Sequence, residues 1–303
     1  MSINSEYNNF GFQIDFIKDS SNPERVFRTF LGLIDFCETT HKLLIKSLDI
    51  KATPTLRLRE IEQGSIKVFL QTIINLSDSE NLSLKLIYDY LNKARSLIIE
   101  FVNKRHKINS YSEIKELQNR LKSLAEETNS NPLGIYQSIN DKELLDIIDK
   151  FQKPCLELQA GDKLAYLVNN KKLIINRDFV LSEQDKEYLL VKETRESELE
   201  MILKVKKPDY LGDSKWEFRY QKRIINIKFN DSEWLSKFRQ KLVIIAPGDA
   251  IKAKVKIIEQ YDHEYELISI EYTLNKVLDI IYNVPEKQLS LLPDSKNRTE
   301  DEN

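Results

Sequence analysis

Apolar and polar residues alternate with a period of two in five runs between Glu198 and Tyr282: ELEMILKVKK, KWEFRY, RIINIKF, DAIKAKVKII and ELISIEYTLNKV. That period sends successive side chains to opposite faces, so each run predicts a half-buried strand. In the first, Leu199, Met201, Leu203 and Val205 share one face and Glu200, Lys204 and Lys206 the other, with Ile202 breaking the pattern. In the fourth, Ile251, Ala253, Val255 and Ile257 point inward and Lys252, Lys254 and Lys256 outward. Between the third and fourth runs the spacing in DSEWLSKFRQ turns helical: Asp231 can cap a short helix presenting Trp234, Leu235 and Phe238 on one side. Strand, strand, strand, helix, strand, strand is the order of an OB-fold, a Greek-key barrel closed at one end by its helix.

The chain ahead of this segment mixes both periods. Phe10, Phe12, Ile14 and Phe16 predict a strand. A helix follows, capped by Ser21 or Asn22, with Pro23 in its first turn and an apolar stripe of Val26, Phe27, Phe30, Leu33, Ile34, Cys37, His41 and Leu44. TLRLREIEQGSIKVFLQTII predicts two strands joined through Glu62 to Ser65, Gly64 supplying the positive φ of a tight turn. Amphipathic helices are expected from Leu84 to Arg105, from Ser112 to Glu126 and, capped by Asn140 and followed by Pro154, from Asp141 to Phe151. The fold class is therefore α+β: a small antiparallel sheet covered by helices, then the OB-like barrel. A hairpin at Lys163 to Ile175, turning on Asn169 and Asn170, and an acidic SEQDKE stretch can extend the barrel or bridge the two parts. The expected organisation is a head over 1–153, a linker or hairpin extension over 154–196, the barrel over 197–283 and a disordered acidic tail over 284–303.

Composition narrows the class without naming a ligand. A chain of 303 residues, 41% hydrophobic and 31% charged, can bury a substantial core, and a net charge of −2 gives no global preference for a polyanion. The two cysteines suit a reducing cytoplasm without a disulfide framework, and neither a secretory apolar region nor a membrane-length apolar run is present. Abundant Lys, Asn and Ile fit an AT-rich bacterial genome.

Much chemistry is excluded by what the chain lacks. Of its three histidines, His41, His106 and His263, none has a second His or Cys at ligand spacing, so neither a metal site nor a cofactor is expected. Glycine-rich phosphate cradles and a Gly-x-Ser-x-Gly elbow are missing, and Gly64-Ser65 reads as a turn. PDYLGDSK superficially matches the Pro-Asp and Asp-x-Lys elements of metal-dependent nucleases. There, however, Asp209 and Asp213 fall in one loop, whereas hydrated magnesium needs acids converging from separate strands. The ordinary loop reading prevails, and the chain reads as a non-enzyme.

The positive signal is local. Between Lys204 and Lys256 basic residues outnumber acidic ones roughly two to one, and the ratio inverts beyond Ile257. With OB closure the first and fourth strands are neighbours, so Lys204 and Lys206 are expected beside Lys252, Lys254 and Lys256 as one patch. Arg219, Arg223 and Lys228 fall on the second and third strands, the face OB-folds use for oligonucleotides. Against this stand three considerations. Alternating lysines also serve simply to solvate a strand; Trp216, Phe218 and Tyr220 fall on the inward face; and the loop YDHEYE is acidic.

The strings IEQGSIKVFLQ, KKPDYLGDSKWEFRY, DSEWLSKF and PGDAIKAKVKI resemble those of two-domain bacterial proteins from variable genomic regions. The resemblance covers both domains. It implies an α+β head with a small barrel behind it and a phage-defence or mobile-element setting, and it brings no catalytic or binding residues. The expected function is that of a cytoplasmic binding or adaptor protein whose barrel docks a nucleic acid or an acidic protein partner. A sensor or enzyme with a motif-less site between the domains, and a scaffold without ligand, are the competing readings.

Overall fold

The computed structural model describes residues 9–18, 21–62, 66–76, 83–130, 136–210, 214–246 and 248–283. The turn at Gly64, residues 131–134 of the breaker-rich stretch, Asp213 and the tail lie outside them. Two compact units divide between Leu190 and Val191.

The first unit contains β1 (Asn9–Asp15), α1 (Glu24–Ser47), β2 (Ala52–Glu62), β3 (Ile66–Leu76), α2 (Leu84–Asn103), α3 (Tyr111–Glu127), α4 (Asp141–Leu156), β4 (Lys163–Val168), β5 (Lys171–Ile174) and α5 (Glu183–Leu190). Its five strands form an antiparallel sheet in the order β2-β3-β1-β4-β5. Phe10, Phe12 and Ile14 of the central strand line up with Leu70 and Val68 on one side and Tyr166 and Leu164 on the other. These residues share one core with Leu33 and Phe36 of α1, Leu91 and Ile98 of α2, and Leu144 and Ile148 of α4.

The hairpin turning on Asn169 and Asn170 therefore belongs to the head's sheet. Both residues have positive φ, 49° and 57°, the type I′ geometry that asparagine tolerates. The SEQDKE stretch is helical. Ser182 and Asp185 cap α5 reciprocally: the Ser182 Oγ accepts from the Asp185 N–H (3.1 Å), and the Asp185 carboxylate accepts from the Ser182 N–H (2.9 Å). Lys186 then reaches Asp149 of α4 at 2.8 Å, fastening the two helices.

Two helix boundaries differ from the sequence expectation. Neither Ser21 nor Asn22 caps α1 through its side chain; Pro23 occupies the N-cap, Asn22 takes a φ of 65°, and its carbonyl accepts from the Arg25 Nη1 at 2.9 Å. Pro154 lies inside α4, which runs to Leu156. A proline in the last turn forfeits one intrahelical bond, but its carbonyl accepts from the Thr29 hydroxyl of α1 at 3.0 Å. Its ring also packs where a Cβ on Gly32 would stand 2.6 Å from the Pro154 Cβ. Gly32→Ala is thus expected to push α1 and α4 apart at a cost of about 1–3 kcal/mol, readable as a lower urea midpoint by far-UV circular dichroism.

The second unit holds β6 (Glu193–Lys207), β7 (Trp216–Tyr220), β8 (Arg223–Phe229), α6 (Ser232–Arg239), β9 (Ala250–Tyr261) and β10 (Leu267–Ile281). The strands close in the order β10-β8-β7-β6-β9, with β8 and β10 parallel and the other neighbours antiparallel. This is the connectivity expected from the alternation pattern, a five-stranded OB-type barrel with a helix between its third and fourth strands. Asp231 caps α6, accepting from the Trp234 N–H, while its second oxygen accepts from the Val277 N–H of β10, each at 3.0 Å. That bond pair aims Trp234 and Phe238 into the end of a core built on Met201, Leu203, Val205, Trp216, Phe218 and Ile251. Among the described residues no helix is long and apolar enough to cross a membrane.

Candidate functional site

All the side chains of the expected basic patch but one fall on the outward phase of their strands; Arg223 shares the inward phase of Ile225 and Ile227 and is exposed as the first residue of β8. The register, moreover, does not gather the others into one patch. β6 and β9 run antiparallel with Lys204 opposite Ala250, Ile202 opposite Lys252, Glu200 opposite Lys254 and Glu198 opposite Lys256. The lysines of β9 thus run away from Lys204 and Lys206 and face the acidic half of β6. Lys256 meets Glu196 at 2.7 Å and Lys252 meets Glu200 at 3.1 Å, while Glu198 accepts from Asn275 of β10. A cross-strand ion ladder therefore occupies much of the face read as a polyanion site. Its acidic side was visible in ESELE, where Glu196, Glu198 and Glu200 keep the same alternation phase as Lys204 and Lys206.

Lys206 is likewise compensated, 2.8 Å from Glu217 of β7, and that hydrogen bond draws the Glu217 carboxyl below its usual range. The remaining cations are concentrated on the first three strands. Lys204 stands directly opposite Arg219, and both are exposed. Arg223 pairs with Tyr220 beside the β7–β8 turn, and Lys228 lies opposite Thr273 of β10. Among the described residues none of these four cations has a carboxylate within 4.0 Å. Lys254 also lacks one, but it faces Glu200 across the ladder.

The nuclease-like loop and the acidic turn both have structural explanations. Asp209 accepts from the Ser214 N–H at 2.8 Å across the β6–β7 loop. Asp262, in the acidic β9–β10 turn, accepts from the N–H groups of Glu264 (2.9 Å) and Glu266 (2.8 Å). Among the described residues no group of His, Cys, Asp and Glu could hold a metal ion. Burial pushes both thiols, Cys37 and Cys155, up to about 12, far from the thiolate a nucleophile requires.

The head contains a site that periodicity did not reveal. Arg95 of α2 is fully buried, and among the described residues it has no carboxylate partner. Its guanidinium lies 3.4 Å from the centre of the Phe10 ring and donates to the His41 Nε2 (2.7 Å), the Asn92 Oδ1 (2.7 Å) and the Tyr166 hydroxyl (2.9 Å). Burial, with the Arg95 charge adding to it, holds His41 well below its ordinary range. The imidazole is neutral, accepts through Nε2 and carries its proton on the buried Nδ1. The unfolded chain takes up a second proton near pH 6.5 and the folded chain only far lower. Folding stability is therefore complete above about 6.5 and falls below it, by up to about 1.4 kcal/mol per pH unit. Urea unfolding followed by circular dichroism between about pH 7.5 and 5.5 should show this slope, and His41→Gln, which retains an acceptor, should flatten it.

Comparison with known proteins adds no family: no family model matches the chain, and no curated protein is significantly similar to it.

Proposed function

We propose that the chain is a non-enzymatic binding protein whose barrel docks a nucleic acid or an acidic protein segment on the outer face of β6, β7 and β8. The observation that carries this reading is the facing pair Lys204 and Arg219, without a carboxylate in ion-pair range while the neighbouring lysines of β9 are held by glutamates. Uncompensated cations that already stand side by side cost less to desolvate against a polyanion than cations that must first leave a partner. Lys228 lies on the same outward face of β8, with Arg223 at the start of that strand, and a curved strand face with cations along it suits an extended chain of negative charges.

Fluorescence anisotropy with a labelled single-stranded oligonucleotide, and separately with a labelled polyglutamate peptide, tests the proposal. Affinity for the docked class should fall steeply with salt. The combined Lys204→Glu and Arg219→Glu variant should lower the slope of log K against log salt by about two. Lys252→Gln with Lys256→Gln should leave binding unchanged. A salt-independent affinity, or equal losses from both variants, would contradict this assignment of the docking face.

A further inference from the structure

We propose that the cleft in the head between α2, α3 and the β4–β5 turn binds a small organic anion, with Ser96 donating to an anionic oxygen and Arg120 and Lys171 at the rim. The cleft measures about 470 Å³, within the range of small-molecule sites, and is lined by Asn92, Ser96, Arg120, Glu127 and Lys171 among others.

The argument begins with the direction of the hydrogen bonds behind it. A guanidinium has donors only, so the Tyr166 hydroxyl, which accepts from the Arg95 Nε at 2.9 Å, must send its own proton elsewhere. Its neighbour is the Ser96 Oγ at 3.3 Å, and Ser96 lines the cleft. Accepting from Tyr166 leaves the Ser96 hydroxyl to donate outward. With Tyr166 donating across this 3.3 Å pair, the chain Arg95, Tyr166, Ser96 is polarised, and it presents to the cleft a hydrogen-bond donor backed by a buried cation. Such an arrangement fits an acceptor with negative charge.

The rim agrees in sign. Lys93 is tied to Asp89 at 2.7 Å and Glu100 to Lys104 at 3.4 Å. Among the described residues, that leaves Arg120 and Lys171 as unpaired cations against Glu127 as an unpaired anion. The buried Arg95 adds to the positive side. Its charge is met only by neutral acceptors and the Phe10 ring, so burying it without a counter-charge is costly for the fold alone. A bound anion offsets it.

Isothermal titration of the full chain with a nucleoside monophosphate and with succinate, each against sodium chloride of equal ionic strength, tests the site and separates phosphate from carboxylate. At least one probe should bind one to one. Ser96→Ala, and separately Arg120→Glu with Lys171→Glu, should each weaken it by about tenfold or more with the circular dichroism spectrum unchanged. The Lys204→Glu, Arg219→Glu variant of the barrel should keep the parental affinity. Heat from neither probe above the salt control, full affinity in the rim variant, or loss in the barrel variant would each overturn the proposal.

Discussion

Asp162→Ala should destabilise the head by about 3–5 kcal/mol, the cost of leaving a buried charge without its partner. Asp162 and Arg25 are both almost inaccessible, at 0% and 1% side-chain exposure, and the Arg25 Nε and Nη2 donate to the two carboxylate oxygens at 2.8 and 3.2 Å. The same carboxylate accepts from the N–H of Ile17, just past β1, and of Gln159, just past α4, each at 3.0 Å. One side chain thus ties together the exit of β1, the start of α1 and the entry to β4. Removing it strands the guanidinium and two N–H groups at once. Arg25→Met with Asp162→Leu should recover much of the loss, since an apolar pair of similar size incurs no desolvation cost.

The pH dependence has the same origin. The Arg25 hydrogen bond, reinforced by the two backbone donors and opposed by burial, holds the Asp162 carboxyl down to about 2. The unfolded carboxyl protonates near 4, so the contribution is complete above about 4 and lost as pH falls toward 2. In Asp162→Ala that part of the acid sensitivity should be absent.

How far the sequence announced this architecture depends on where each strand finds its partner. The barrel was readable because its strands are half-buried: Met201, Leu203 and Val205 inward against Lys204 and Lys206 outward write the pleat into the text. β6 nevertheless begins at Glu193, before the alternation starts, because Glu193–Glu198 extends past the core and is polar on both faces. The hairpin at Lys163 was legible through its two asparagines, but its place beside β1 depends on contacts about 150 residues away in the chain, such as Phe12 with Tyr166. Local pattern cannot encode that. The basic face failed as a single patch for a related reason: strand order brought β6 beside β9, and the antiparallel register then matched lysines with glutamates. Arg95 was invisible because an arginine at a helical core position looks like a break in the stripe. Its meaning lies in Phe10, His41 and Tyr166, on other elements.

Trp216→Ala should cost the barrel about 3–5 kcal/mol and leave the head untouched. Trp216, 1% exposed, is the point where the barrel's aromatic groups converge: its ring centroid lies 4.6 Å from Phe229, 5.0 Å from Phe238 and 6.0 Å from both Phe218 and Trp234. Those rings come from β7, β8 and α6, so the cavity left by alanine is walled by elements fixed by their own hydrogen bonds, and it cannot collapse. A loss of this size is a large fraction of an ordinary domain's stability of about 5–15 kcal/mol. The chain supplies its own probe, since its two tryptophans, Trp216 and Trp234, both lie in the barrel. In Trp216→Ala the remaining Trp234 should report unfolding at lower urea, while the helical dichroism, dominated by α1 to α5 of the head, keeps its parental midpoint. Asp162→Ala should do the reverse, shifting the dichroism and leaving the tryptophan transition in place. If both signals move together in either variant, the units unfold as one cooperative body, and the independence of head and barrel that the two predictions assume is refuted.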